Sequence, residues 1–72
     1  MQSKFKRLIS SSGQWPYSVK LYEFTDNGET TYSILVNCKG KPIHFEDGFA
    51  VKRSAFEEYQ QQVTLMWEKF NV

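Results

Sequence analysis

Residues 17–38 read YSVKLYEFTDNGETTYSILVNC, two alternating segments joined by Asn-Gly. In the first segment Tyr17, Val19 and Leu21 stand at every second position, which is the period of a strand with one buried face. Asn27-Gly28 strongly indicates a two-residue hairpin turn, because both residues tolerate a positive φ. The alternation and the turn agree on one register, in which the aliphatic side chains share a face. The pairs predicted by this register are Leu21 with Ile34, Val19 with Val36, and Tyr17 with Cys38.

A second two-residue turn at Lys39-Gly40 predicts a third strand. Pro42 has no amide hydrogen to donate to a neighbouring strand, which suits the start of an edge strand. Asp47-Gly48 then ends the strand, and residues 49–53 connect it to the C-terminal segment. The pairs predicted across this turn, which place two more apolar side chains in the core, are Val36 with Ile43 and Ile34 with Phe45.

The segment 1–14 is either an edge strand or a flexible arm. Residues 4–9 favour a short edge strand, whereas Ser10-Ser11-Ser12-Gly13 is typical of a loop. Adding this strand to the other three gives a four-stranded sheet, and omitting it leaves three strands.

Residues 55–70 predict a C-terminal helix. Ser54 and Glu57 have the spacing of a capping box, and Lys69 suits the helix dipole near the end. The apolar side chains expected within one arc of about 100° are Phe56, Tyr59, Val63, Met66, Trp67 and Phe70. This arc fits the aliphatic face of the sheet. The predicted fold class is therefore α+β, a three- or four-stranded antiparallel β-meander packed on one C-terminal α-helix, in a single domain spanning residues 1–72.

The composition supports a folded domain of this size. The chain has 72 residues with 6 Phe, 4 Tyr and 2 Trp, and each buried aromatic ring removes roughly 150–250 Å² from water. Such a chain has enough apolar surface to offset its ordering entropy, so intrinsic disorder is excluded. The formal net charge of +1 excludes a strong overall field.

The reactive residue types do not form a catalytic group in this sequence. Cys38 and His44 are the only cysteine and histidine, and the predicted register places them on opposite faces of the sheet. The glycines are isolated at turns, so no phosphate-binding loop is indicated. Since nucleophile, base and oxyanion donors are not brought together, we expect no enzyme, no metal and no cofactor.

The number of cysteines and the length of the apolar runs indicate the localisation. A single cysteine cannot form an intramolecular disulfide, which favours a reducing, cytoplasmic setting. No apolar run approaches the ~20 residues that span a bilayer, so no membrane partner is expected.

The face of the sheet that points away from the helix is the first candidate contact surface. The predicted register places Lys20, Leu35 and His44 in one row there, with Tyr22 and Phe24 alongside. Exposed aromatic rings can anchor a protein partner. The alternative is a solvated face on which such rings simply fit the pleat. Leu65, on an acidic side of the helix, is a secondary candidate.

These features predict a protein-binding regulator or inhibitor that occludes a larger protein. Small antagonists encoded by phages and mobile elements have this size and architecture, although fold does not imply function. Homodimer formation through the spare surface is compatible with that role.

Nucleic-acid binding is the alternative function. It would use the basic N-terminal residues Lys4, Lys6 and Arg7, with Lys20 beside them and Tyr22 and Phe24 as stacking platforms. These charges are few, because salt-sensitive binding commonly draws on roughly 6–10 phosphate contacts.

Overall fold

The computed structural model describes residues 4–70, with the side chains of residues 5–69, and confirms the predicted α+β class. Four antiparallel strands follow one another in the order β1-β2-β3-β4, and one helix packs on the sheet. The elements are β1 (Lys4–Gln14), β2 (Tyr17–Asp26), β3 (Glu29–Cys38), β4 (Lys41–Phe49) and α1 (Lys52–Phe70).

The central β2-β3 hairpin has the register that the sequence predicts. Its turn residues Asn27 and Gly28 have φ values of 53° and 83°, as a two-residue turn between right-twisted strands requires. The three predicted pairs, among them Val19 with Val36, are all present. The hairpin register is thus confirmed.

The β3-β4 pairing differs from the predicted one by a β-bulge near the turn, and a second irregularity lies at Asp47-Gly48, beyond which the strand continues to Phe49. The turn at Lys39-Gly40 is present, and Asn37 pairs with Pro42 as expected, but Val36 then pairs with His44. Ile43 is the extra residue of the bulge. Because Pro42 cannot donate the next ladder hydrogen bond, the pairing is readily interrupted there.

The bulge reverses the faces of the following β4 residues. Phe45 pairs with Leu35 rather than with Ile34, and Ile43 and Phe45 are both exposed rather than in the core. The predicted pairs Val36–Ile43 and Ile34–Phe45 are therefore wrong.

The edge strand β1 is longer than the sequence suggested. Ser10-Ser11-Ser12-Gly13 is not a loop, because each of these residues pairs with a residue of β2. A bulge between Leu8 and Ser10 leaves Ile9 as the extra residue, and its side chain packs against the core. The serines continue the strand because the hydroxyl groups of Ser10 and Ser12 find a hydrogen-bond partner on α1.

The helix begins earlier than predicted, and its buried face is rotated about the helix axis relative to the predicted apolar arc. It starts at Lys52, so Ser54 lies in its first turn and is not the N-cap of a capping box. Its buried side chains are Ala55, Tyr59 and Met66. Ala55 is fully buried, so the helix presents this small residue, rather than Phe56, to the sheet.

Because of this rotation, two aromatic residues that were predicted in the core lie at the edge of the helix face that contacts the sheet. Phe56 and Trp67 are exposed, whereas Val63 packs partly against the core. Phe56 contacts Tyr59 with ring centroids 5.8 Å apart. The side chain of Phe70 lies outside the described residues.

The core fills the space between α1 and the two central strands. From the sheet it takes four aliphatic side chains and a tyrosine, namely Val19, Leu21, Tyr32, Ile34 and Val36. The helix lies mainly over β2 and β3. None of residues 4–70 forms a layer on the opposite side of the sheet, so that side is open to solvent.

Candidate protein-binding face

We call the open side of the sheet the outer face. Directly opposed residues of neighbouring strands point to the same side, so the register assigns its members. The larger side chains of the outer face are Lys6, Leu8, Lys20, Tyr22, Phe24, Leu35 and Phe45. Those on β2 and β3 alternate with core residues, so the packing of the core under α1 fixes their outward direction. The side chains on β1 and β4 follow from their pairing with these strands.

The row of candidate residues across the sheet differs from the predicted row at one end. Lys20 pairs with Leu35 as expected, and Leu35 pairs with Phe45. The bulge at Ile43 places Phe45 where the prediction has His44. Phe45, with 57% of its surface exposed, is therefore a residue of the candidate face that the sequence reasoning missed. Pro42, next to the bulge, was the signal available in the sequence.

His44 lies on the helix side of β4 and not on the outer face. It pairs with the core residue Val36, but α1 covers little of β4 and the ring is exposed. Its Nε2 lies 2.8 Å from Glu46 Oε1. His44 is therefore separated from Lys20 and Leu35, and the predicted row with His44 is wrong.

A groove of about 430 Å³ crosses the outer face. Its floor includes the small side chains of Thr31 and Ser33 on β3, and Tyr22 and Phe24 stand along it on β2. Phe45 lines it on the β4 side. The groove exists because a strand with small side chains lies next to a strand with bulky ones.

The two ends of the groove, at the two edge strands, carry opposite charges. Lys6 on β1 and Asp47 on β4 both line it. The Lys6 Nζ lies 4.2 Å from the centroid of the Tyr22 ring, a cation–π distance. This contact holds the ammonium group over the outer face.

The neighbouring Arg7 points to the other side of the sheet. Its guanidinium lies 3.1 Å from Glu23 Oε1, and the Glu23 side chain is only 14% exposed. The structure therefore separates Arg7 from Lys6 and Lys20, and the side chain of Lys4 lies outside the described residues. The basic segment does not present its charges together.

Leu65 is exposed on α1, in the layer opposite to the outer face. It cannot share one flat contact surface with Tyr22 and Phe24. Of the predicted contact residues, the structure brings together Lys20, Tyr22, Phe24 and Leu35, with Lys6 from the alternative set.

Other chemistry is sparse in the described part of the chain. Cys38 is a half-buried free thiol, and residues 4–70 contain no group of three His, Cys, Asp or Glu side chains that could hold a metal ion. Among the same residues no helix has both the length and the apolar character to cross a bilayer. No family model, curated protein or solved structure matches the chain.

Proposed function

We propose that this chain is a small non-enzymatic protein-binding module whose contact surface is the outer face. The observation that carries the proposal is the open groove flanked by exposed rings, with Phe24 exposed by 38% and Phe45 by 57%. Contiguous exposed apolar surface is uncommon on monomers and marks interaction sites. Aromatic side chains beside a groove are also the type that dominates binding energy at protein interfaces.

The finer role that we propose is regulation or inhibition by occlusion. A single sheet face can cover a site on a larger protein without contributing any chemistry of its own. Standard interfaces bury about 800 Å² per partner, which is of the order of one face of this domain. The comparison with antagonists of phages and mobile elements is one of size and architecture only. The single cysteine, Cys38, suits a cytoplasmic setting.

Photo-crosslinking tests the proposed surface. A photoreactive phenylalanine analogue at Tyr22 should capture protein partners in a cell lysate, whereas the same analogue at Gln60 on the exposed side of α1 should not. Phe24→Asp should remove the captured species because it places a carboxylate in the apolar groove. Leu65→Asp is the matched control. Equal capture by the Phe24→Asp protein would refute the assignment of this face.

Single-stranded nucleic acid is a second candidate ligand of the same face. The bulge adds the Phe45 ring to Tyr22 and Phe24, and Lys6 and Lys20 lie on the same side. Tyr22 and Phe24 stand two residues apart in a strand, about 7 Å, a distance at which successive bases can stack on separate rings.

The charges favour a protein over nucleic acid. The ammonium groups of Lys6 and Lys20 are offset by Asp47 at the other end of the groove, and Arg7 is paired with Glu23. An anisotropy titration with labelled single- and double-stranded oligonucleotides at low salt separates the two functions. Absence of binding there would exclude nucleic acid, because the phosphate contribution is then largest.

A further inference from the structure

We propose that the protein bound by the outer face is a second copy of this chain, packed face to face about a two-fold axis. The axis runs along the strands and lies between the two sheets. This inference rests on the contact surface of the proposed function, and it names a second copy of the chain, in place of a larger protein, as the occupant of that surface. Such an axis places β1 of one copy over β4 of the other, and β2 over β3. Both copies then use the same patch, as two-fold symmetry requires.

The shapes of β2 and β3 fit this arrangement. On the outer face β2 carries the bulky Tyr22 and Phe24, and β3 carries the small Ser33 and Thr31. Tyr22 pairs with Ser33 and Phe24 with Thr31, so each ring lies at the same level along the strands as a small residue. Rotation about this axis leaves the position of every residue along the strand direction unchanged. It therefore seats the rings of each copy over the small residues of the other, which fills both grooves.

Lys6 and Asp47 fit the same axis, and Lys20 lies over Leu35 of the other copy, where its alkyl stem covers the leucine. Lys6 reaches over the Tyr22 ring, which brings its ammonium group to the level of Ser33. Asp47 lies at that level too, because it follows the Ile34–Glu46 pair. With β1 of one copy above β4 of the other, each Lys6 faces an Asp47. The interface contains this ion pair twice.

The area of the outer face reaches the lower end of the range for a specific dimer. With strands about 4.8 Å apart and a rise of about 3.3 Å per residue, four strands of ten residues cover roughly 600 Å². Two copies then bury about 1,200 Å², which exceeds the ~1,000 Å² expected of a specific interface.

Pairing through the sheet edges is the competing way to dimerise, and the edges are poorly suited to it. β1 has a bulge at Ile9, and β4 has a bulge at Ile43 next to Pro42. Bulges and proline interrupt the row of free backbone groups that another strand would need. A second copy therefore finds better complementarity on the outer face than at either edge.

A charge-swap experiment tests the dimer. The wild-type chain is studied by sedimentation equilibrium from about 1 µM to about 500 µM, a range that covers weak and moderate affinities. The apparent molecular mass of the chain should rise over this range from that of the monomer to twice that value. Lys6→Glu alone and Asp47→Lys alone place like charges opposite each other, and each should weaken association by about tenfold or more. An equimolar mixture of the two variants should associate as the wild type does, because both ion pairs are restored in the mixed dimer.

The matched controls are Lys52→Glu and Glu57→Lys, which make the same charge changes at exposed positions of α1 and should leave the dissociation constant unchanged. A wild-type chain that stays monomeric over the whole range overturns the inference. So does a dimer that neither variant weakens, or a mixture that fails to associate. If the monomeric chain still captures other proteins through Tyr22, the inference fails and the proposed function stands. If it captures none, both fail.

Discussion

At the scale of single residues, polar contacts attach the edge strand β1 to the rest of the fold. The buried Tyr59 hydroxyl, on a side chain only 3% exposed, lies 3.2 Å from Ser10 Oγ, which donates to it, and 2.8 Å from Ser12 Oγ. These two contacts connect α1 to a stretch of strand that lacks apolar side chains. The hydroxyl of Tyr59 therefore contributes to stability beyond the burial of its ring.

Tyr59→Phe should lower the free energy of unfolding by about 1–2 kcal/mol, because two serine hydroxyls lose their partner while the ring stays in place. Urea denaturation measures the change. Tyr22→Phe on the outer face is the matched control and should change stability by less than about 0.5 kcal/mol. Equal effects of the two substitutions would contradict the role given to the Tyr59 hydroxyl.

The ion pair between Arg7 and Glu23 makes a second residue-scale prediction. Arg7→Ala leaves a mostly buried carboxylate without its partner and should destabilise the fold by about 1 kcal/mol, the upper end of the range for exposed pairs. Chemical denaturation of Arg7→Ala and of Lys52→Ala, an exposed basic residue on α1, measures the difference. A stability change as small as that of Lys52→Ala would show that the pair contributes nothing.

At the scale of elements, the start of α1 lacks a favourable cap. The Ala55 amide donates to the Val51 carbonyl at 3.2 Å, which makes Val51 the N-cap residue. Valine has no side-chain oxygen to accept an orphan amide hydrogen, and the first turn contains no acidic residue. The helix therefore forms through packing of its buried face and not through its cap.

Val51→Asp should raise the free energy of unfolding by about 0.5–2 kcal/mol, since Val51 is 58% exposed and aspartate both caps the helix and suits its dipole. Ser54→Ala should be nearly neutral, because Ser54 lies inside the first turn. Thermal and urea unfolding of both variants measure these changes. A loss of about 1 kcal/mol in Ser54→Ala would instead support the capping box.

The same elements differ in how far the sequence could predict them. The β2-β3 hairpin was predictable because Asn27-Gly28 allows one turn type, and that turn agrees with the alternation of apolar residues. The β4 register was not, since the turn at Lys39-Gly40 is compatible with a regular strand and with a bulge one step later. The rotation of α1 places Ala55, Tyr59 and Met66 in the core, and this choice of face depends on packing against the sheet and not on helical periodicity alone.

At the scale of the whole molecule, one helix covers one side of a four-stranded sheet and leaves the other side open. Four of the candidate contact residues, Lys20, Tyr22, Phe24 and Leu35, were predicted on the open side because they alternate with core residues of the well-determined hairpin. Phe45 was missed and His44 misplaced, since both depend on the bulge. The part of the candidate face that lies on the β2-β3 hairpin was therefore predictable from the sequence, and the part on β4 was not.

The shape of the molecule gives a last prediction about its assembly. The chain measures 49 × 23 × 15 Å along its principal axes, so one direction is much longer than the other two. Face-to-face packing adds the second copy perpendicular to the strands, along a short direction, whereas end-to-end packing adds it along the longest. Small-angle scattering at concentrations where the mass doubles should therefore show a longest dimension close to that of the monomeric Phe24→Asp variant. A doubled mass accompanied by a nearly doubled length would place the contact at the ends of the strands and rule out the outer face.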